Sequence, residues 1–159
     1  MKTITKLGLA VILFMATAVF NSAMAQSYGG SAYVHVRNSE GKNRVLTTTI
    51  SCTYVSESYA KTELEKSLLS KKRVGDEYNS QIYYDIDLSR KDDSRYYGGS
   101  ASVRVKNEDG ESRVLNTSIG CTRTSVCEAK GELQLSLMAK KRVGEEFISG
   151  ITYDIDSCN

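Results

Sequence analysis

Residues Tyr28 to Ser89 recur as Tyr97 to Cys158 at a constant offset of 69 positions, with no insertion or deletion between the two stretches. About 35 of roughly 62 aligned positions are identical. The chain is therefore built from two copies of one supersecondary unit. What both copies keep belongs to the fold, and what only one copy carries marks where individual function would sit. A unit of this size is marginal on its own, so the copies are expected to share an interface or one continuous core.

The repeat is preceded by Met1 to Ala25, which starts with Lys2 and Lys6, runs through LGLAVILFMATAVF and closes on Ala23-Met24-Ala25. That pattern reads as a secretory signal peptide cleaved after Ala25. The apolar run is short, nothing like it follows downstream, and no Cys stands just after it. Neither a transmembrane anchor nor a lipid anchor is expected, and the mature chain is read as periplasmic or secreted. Residues 1–25 are thus the signal peptide, 28–89 the first repeat, 90–96 a short charged linker and 97–158 the second repeat. Losing Lys2 and Lys6 takes the formal charge from +2 to zero, which removes the electrostatic case for a nucleic-acid partner. The two Lys-Lys-Arg clusters, at Lys71 to Arg73 and Lys140 to Arg142, have acids nearby in Asp76, Glu77, Glu145 and Glu146.

Alternation in Ala32 to Arg37 predicts a half-buried strand with Ala32, Val34 and Val36 inward and Tyr33, His35 and Arg37 outward. The turn residues Asn38 to Gly41 then lead into a β-branched run, Arg44 to Cys52, so the pair reads as a hairpin. Ala60, Leu64 and Leu68, repeated as Ala129, Leu133 and Leu137, have the spacing of an amphipathic helix over about 57–73. Ser56 and Ser125 are its caps, with Glu128 completing Ser-x-x-Glu in the second copy. Gly75 and Gly144 read as stops behind the basic clusters. Gln81 to Asp87 forms a third strand with Ile82, Tyr84 and Ile86 inward. The fold class is α+β: two tandem ββαβ repeats in antiparallel-rich sheet, one helix per repeat on one face. A right-handed crossover gives strand order 2-1-3. Outward Arg37 would then pair with Asp85 or Asp87, and Lys106 with Asp154 or Asp156.

Four cysteines in an exported chain predict disulfides. Cys127 and Cys158 are matched by Ser58 and Ser89 in the first copy, and their joint presence points to a bond between them. Cys52 and Cys121 occupy equivalent positions on the inward face of each second strand, where they would bond across the copies or remain buried thiols. No cysteine spacing suggests a metal site, and no cofactor is expected.

Catalytic signals are sparse. His35 is the one histidine, with no nucleophile-elbow motif beside it. Asp85 and Asp87 share a strand face at a separation also found between glycosidase carboxylates. Tyr-Gly-Gly-Ser, at Tyr28 and Tyr97, reads as a flexible lead-in to a strand rather than a phosphate loop. The copies differ in aromatic content: Tyr33, His35 and Tyr83 on the outward face of the first become Ser102, Arg104 and Thr152 in the second. With Thr47 and Thr49 on the same face, they form a candidate recognition surface, unless that face packs against the other repeat. The expected function is that of a small, exported, non-enzymatic binding module for a protein or glycan of the envelope or medium, as an inhibitor or accessory subunit. The alternatives are a self-assembling structural protein of the cell envelope and a hydrolase using Asp85 and Asp87 with His35.

Overall fold

The computed structural model of the protein describes residues 26–90 and 94–158. The predicted signal peptide lies outside the described residues, as does the middle of the linker. In the first half, β1 (Gln26–Arg37) and β2 (Asn43–Tyr54) form an antiparallel hairpin. Asn38 shapes its turn, its side-chain oxygen accepting from the N–H groups of Glu40 at 3.1 Å and Lys42 at 2.8 Å. Helix α1 (Glu57–Ser70), a two-residue bridge β3 (Glu77–Tyr78) and β4 (Tyr83–Arg90) follow. The second half repeats the order as β5 (Tyr96–Lys106), β6 (Ser112–Arg123), α2 (Val126–Lys140), β7 (Glu146–Phe147) and β8 (Thr152–Cys158). In each half the hairpin's first strand is central, flanked by its hairpin partner and by the long strand after the helix, which gives the expected order. The short bridges β3 and β7, at the far end of the central strands, carry no sequence signal of their own.

Both helices are capped as their serines predict. Ser56 Oγ accepts from Tyr59 N–H at 3.3 Å, and Ser125 Oγ from Glu128 N–H at 3.2 Å. Glu128 closes back onto the N–H and hydroxyl of Thr124, one residue earlier than a standard capping box. The helices end sooner than the glycines suggest. Gly75 sits at φ +86° in a separate turn closed by Asp76 N–H on Arg73 C=O at 3.1 Å. That turn presents Asp76 to Arg44, which also donates to Lys71 C=O at the helix end. Arg113 grips Glu145 in the same way, through two bonds of 2.6 and 2.9 Å.

The Tyr-Gly-Gly-Ser segments lie inside β1 and β5, which corrects their reading as flexible lead-ins. Gly30 and Gly99 both adopt φ +132°. A Cβ built on either would sit 2.1 Å from a carbonyl oxygen of the adjacent strand, that of Asp85 or Asp154. Glycine is required because two backbones close in on the central strand from either side.

Four layers result, in the order α1, first sheet, α2, second sheet. Leu64 and Leu68 of α1 pack on Ala32, Val34, Val36 and Leu46, and Ala60 of the same helix is fully buried. Leu133 and Leu137 of α2 pack on Val103, Val105, Leu115 and Phe147 of the second sheet. The opposite side of α2 lies against β2, β1 and β4 of the first sheet, so this helix is covered on two faces. Val45 from the first half belongs to the second half's apolar cluster.

Both disulfide expectations are corrected. The bonds are Cys52–Cys127 and Cys121–Cys158, with Cα separations of 5.6 and 6.0 Å. The register shifts between Tyr28 and Gly30, and again between Tyr97 and Gly99. Cys52 and Cys121 fall opposite those shifts, where strand alternation no longer dictates which face a side chain takes. Cys52 is thereby freed to meet Cys127 at the start of α2, and Cys121 to meet Cys158 beside it in its own half.

Two outcomes follow. Replacing Gly30 by Ala should cost roughly 2–4 kcal/mol through positive-φ strain and backbone collision, read by urea unfolding; a loss within the error of the method would contradict the close approach. Glu145 is held down to about 2 from its usual 4.5 by hydrogen bonds from Arg113, helped by the Arg142 N–H. Its folded value lies below its unfolded one, so its stabilisation is complete above about pH 4.5 and is lost as pH falls toward 2. Glu145→Gln should flatten the acid limb of the thermal midpoint measured against pH, and an unchanged limb would count against this brace.

Candidate functional site

The face of the first sheet turned to α2 carries Ser31, Tyr33 and His35 from β1, Val45, Thr47 and Thr49 from β2, and Tyr83, Asp85 and Asp87 from β4. Register fixes these neighbours: Tyr33 stands between Thr47 and Tyr83, and Ser31 between Thr49 and Asp85. The sequence-predicted residues therefore do share a face, and α2 occupies much of it. Thr47 is buried, and its carbonyl accepts from Gln134 Nε2 of α2 at 3.3 Å. Thr49 is half-buried, its hydroxyl 3.9 Å from where a Cβ on Gly131 would stand.

Tyr33, His35 and Tyr83 come together at the margin of this interface. The two tyrosine rings stack with centroids 4.8 Å apart, and His35 meets Tyr33 edge-on at 6.0 Å. Tyr33 also packs on the chain before β8, where a Cβ on Gly150 would lie 2.7 Å from its ring. Tyr83 remains 41% exposed, so part of the trio is accessible from outside.

At the other end of the face, Lys130 of α2 is only 5% exposed. Its Nζ donates to Asp85 Oδ2 at 2.6 Å and to Asp87 Oδ1 at 2.9 Å. This corrects the expected pairing with Arg37. Asp85 stands opposite Ser31 and Asp87 opposite Gly29, whereas Arg37 lies six residues further along β1, about 20 Å away at the rise of a strand. Arg37 instead donates to Asn43 Oδ1 at 3.0 Å. Burial raises the Asp87 carboxyl, Lys130 pulls it back, and the neighbouring Asp85 charge adds to the rise. The two carboxylates and the amine line a cleft of about 440 Å³ with Arg95, Tyr97 and Tyr153. Tyr153 Oη is buried there without a hydrogen-bond partner, and burial followed by the two aspartates pushes its hydroxyl up. Its counterpart Tyr84 donates to Glu65 at 2.5 Å; the corresponding residue on α2 is Gln134, turned to the first sheet instead. His35 does not line this cleft: it stands four residues along β1 from the partner of Asp85.

Among the described residues no helix covers the corresponding face of the second sheet. Ser100, Arg104, Val114, Asn116, Ser118, Thr152, Asp154 and Asp156 are all exposed. Where Tyr33 fills the first sheet, Ser102 leaves a depression of about 340 Å³ bordered by Asn116, Thr152 and Asp154. Reading the repeats alone missed this contrast. The signal lay in the second helix, where Cys127, Lys130, Gly131 and Gln134 form a small and polar stripe beside the leucine stripe, the mark of a helix covered twice.

Among the described residues no helix is long and apolar enough to cross a membrane, and no cluster of three or more His, Cys, Asp or Glu is placed to hold a metal ion. Comparison of the chain with protein-family models, curated proteins and solved structures gives no match. The described residues form a two-disulfide α+β protein with two four-stranded antiparallel sheets and one helix per half.

Lys130→Met should be strongly destabilising, on the order of 3 kcal/mol, because it strands Asp87 beneath α2 without a counter-charge. The raised carboxyl then binds its proton more readily in the folded than in the unfolded chain. The deficit should therefore grow as pH rises above the ordinary carboxyl value of 3.8. Adding Asp87→Asn to Lys130→Met should recover much of the loss in urea unfolding; no recovery would mean that the lysine acts through its packing alone.

Proposed function

We propose that this chain acts outside the cytoplasm as a non-enzymatic binding protein, and that it binds a protein partner through the open face of its second sheet. The observation that carries the reading is the asymmetry between equivalent surfaces. One sheet face is filled by an amphipathic helix, and the same face of its duplicate is left uncovered among the described residues. A sheet of this construction accepts a helix, so a helical segment is the ligand chemistry that fits best. Export is supported by the Met1 to Ala25 pattern and by two disulfides, which persist in oxidising compartments. Against a hydrolase stands the Asp85–Lys130–Asp87 arrangement, in which the amine that would have to leave is nearly buried and His35 is turned to Tyr33.

A second reading keeps the aromatic margin as the contact surface, for a glycan or a protein. It is favoured by the stacked Tyr33–Tyr83 pair with Tyr83 partly exposed. Three baits separate the two readings in affinity capture from the native extract: the wild-type mature chain, a Ser102→Arg, Ser118→Arg variant, and a His35→Ala, Tyr83→Ala variant, each checked for folding. Loss of a partner from the serine variant alone is the expected result. Loss from the aromatic variant alone transfers the site to the margin, and a partner kept by both variants sinks both surfaces.

A further inference from the structure

The contact between the halves supplies a template for what could cover the open sheet. Helix α2 reaches the first sheet through Cys127, Lys130, Gly131 and Gln134, and the chain before β8 adds Gly150. Shifted by one repeat, these become Ser58, Lys61, Thr62, Glu65 and Gln81. Ser58, Thr62, Glu65 and Gln81 are exposed, and Lys61 is half-exposed with its amine 2.6 Å from Glu57. Among the described residues two surfaces are thus left uncovered, one equivalent to each side of the internal interface.

We propose that the open face of the second sheet is covered by helix α1 of a second copy of this chain, seated as α2 is seated on the first sheet. The inference rests on reading that face as a binding surface.

Charge favours this occupant. Lys130 lies between Asp85 and Asp87, and the shifted contact sets Lys61 of one copy against Asp154 and Asp156 of the other. The second ion pair across the internal interface, Arg73–Glu146 at 2.8 Å, is also kept in kind, as Arg142 of one copy against Glu77 of the other. Volume favours it too. Inside the molecule large residues of the sheet meet glycines of the second half: Tyr33 meets Gly150, and Thr49 meets Gly131. In the shifted contact both pairs exchange bulk, Ser102 meeting Gln81 and Ser118 meeting Thr62. The sheet has become smaller at the two points where the incoming surface has become larger. Val114, 52% exposed, would be covered as its counterpart Val45 is, at 4% exposed.

Two departures define how such a contact differs from the template. Glu65 cannot donate to the Asn116 carbonyl as Gln134 does to Thr47, so that hydrogen bond is absent. The bond equivalent to Cys52–Cys127 is absent as well, because Ser58 replaces the helix cysteine and Cys121 is tied to Cys158. The association is therefore noncovalent and reversible. Each copy offers a different surface at either end, so the contact is head-to-tail and extends into a ring or a filament rather than closing as a twofold dimer.

Sedimentation velocity of the mature chain over a concentration series tests this. The weight-average mass should rise with concentration. Lys61→Glu should weaken the association by about tenfold or more, as should Asp154→Lys, Asp156→Lys. Mixing the two variants should restore it, since each contact between unlike variants again joins opposite charges. A Ser58→Cys, Cys158→Ser variant should form an intermolecular disulfide between positions 58 and 121, identified by peptide mapping, provided circular dichroism shows it folded. Association that ignores the charge reversals overturns the proposed contact. A monomer at every concentration also overturns it, and the capture experiment then separates the causes. If the Ser102→Arg, Ser118→Arg bait still loses a partner, the face binds something other than a second copy; if it loses none, the binding reading fails as well.

Discussion

Helix α2 has two jobs, and the arrangement of the whole molecule follows from them. Its leucine stripe must meet the second sheet, as the stripe of α1 meets the first. Its opposite side must lie on a sheet face whose middle is Tyr33, Thr47 and Thr49. Lys130 joins that side to Asp85 and Asp87. A lysine taken almost out of water loses hydration worth several kcal/mol, which only well-placed opposite charge can offset. Asp85 and Asp87 supply that charge from successive outward positions of one strand.

The same interface is also held covalently and sterically. Cys52–Cys127 closes a loop of 75 residues, worth about 4 kcal/mol in chain entropy by the loop-closure relation. Gly150 makes room for the Tyr33 ring, and Gly131 lies beside Thr49. Cys121–Cys158, by contrast, binds β6 to β8 within one half and leaves the second sheet's outer face clear. One disulfide fixes a neighbour on the first sheet, and the other stays within its own half.

Hairpin, helix and third strand were legible from local pattern, because alternation and four-residue spacing are read within one element and the duplication confirms each reading. Ser56 and Ser125 marked the helix starts correctly for the same reason. Gly75 misled as a helix stop: positive φ is demanded equally by a turn, and only the Arg44–Asp76 contact shows which one it serves. The disulfide pairing was hidden by a backbone irregularity opposite Gly29 and Gly98, which no side-chain pattern records. The aspartates were paired with the wrong cation because strand register, set by where β4 begins against β1, places Arg37 far from them. Lys130 gave no signal by comparison of the copies, since Lys61 stands at the same position; burial of one and partial exposure of the other is a property of the stack, not of the repeat.

The claim that α2 is shared between the sheets stands or falls on which cysteines are joined. Trypsin cleavage after Arg44, Lys61, Arg113, Arg123, Lys130 and Arg142 puts the four cysteines on four separate peptides, so mass spectrometry of a non-reduced digest reads the pairing directly. The account predicts the peptide of Cys52 joined to that of Cys127, and the peptide of Cys121 joined to that of Cys158. Finding Cys127 joined to Cys158, with Cys52 joined to Cys121, would contradict it, because the second helix would no longer be fastened to the first sheet.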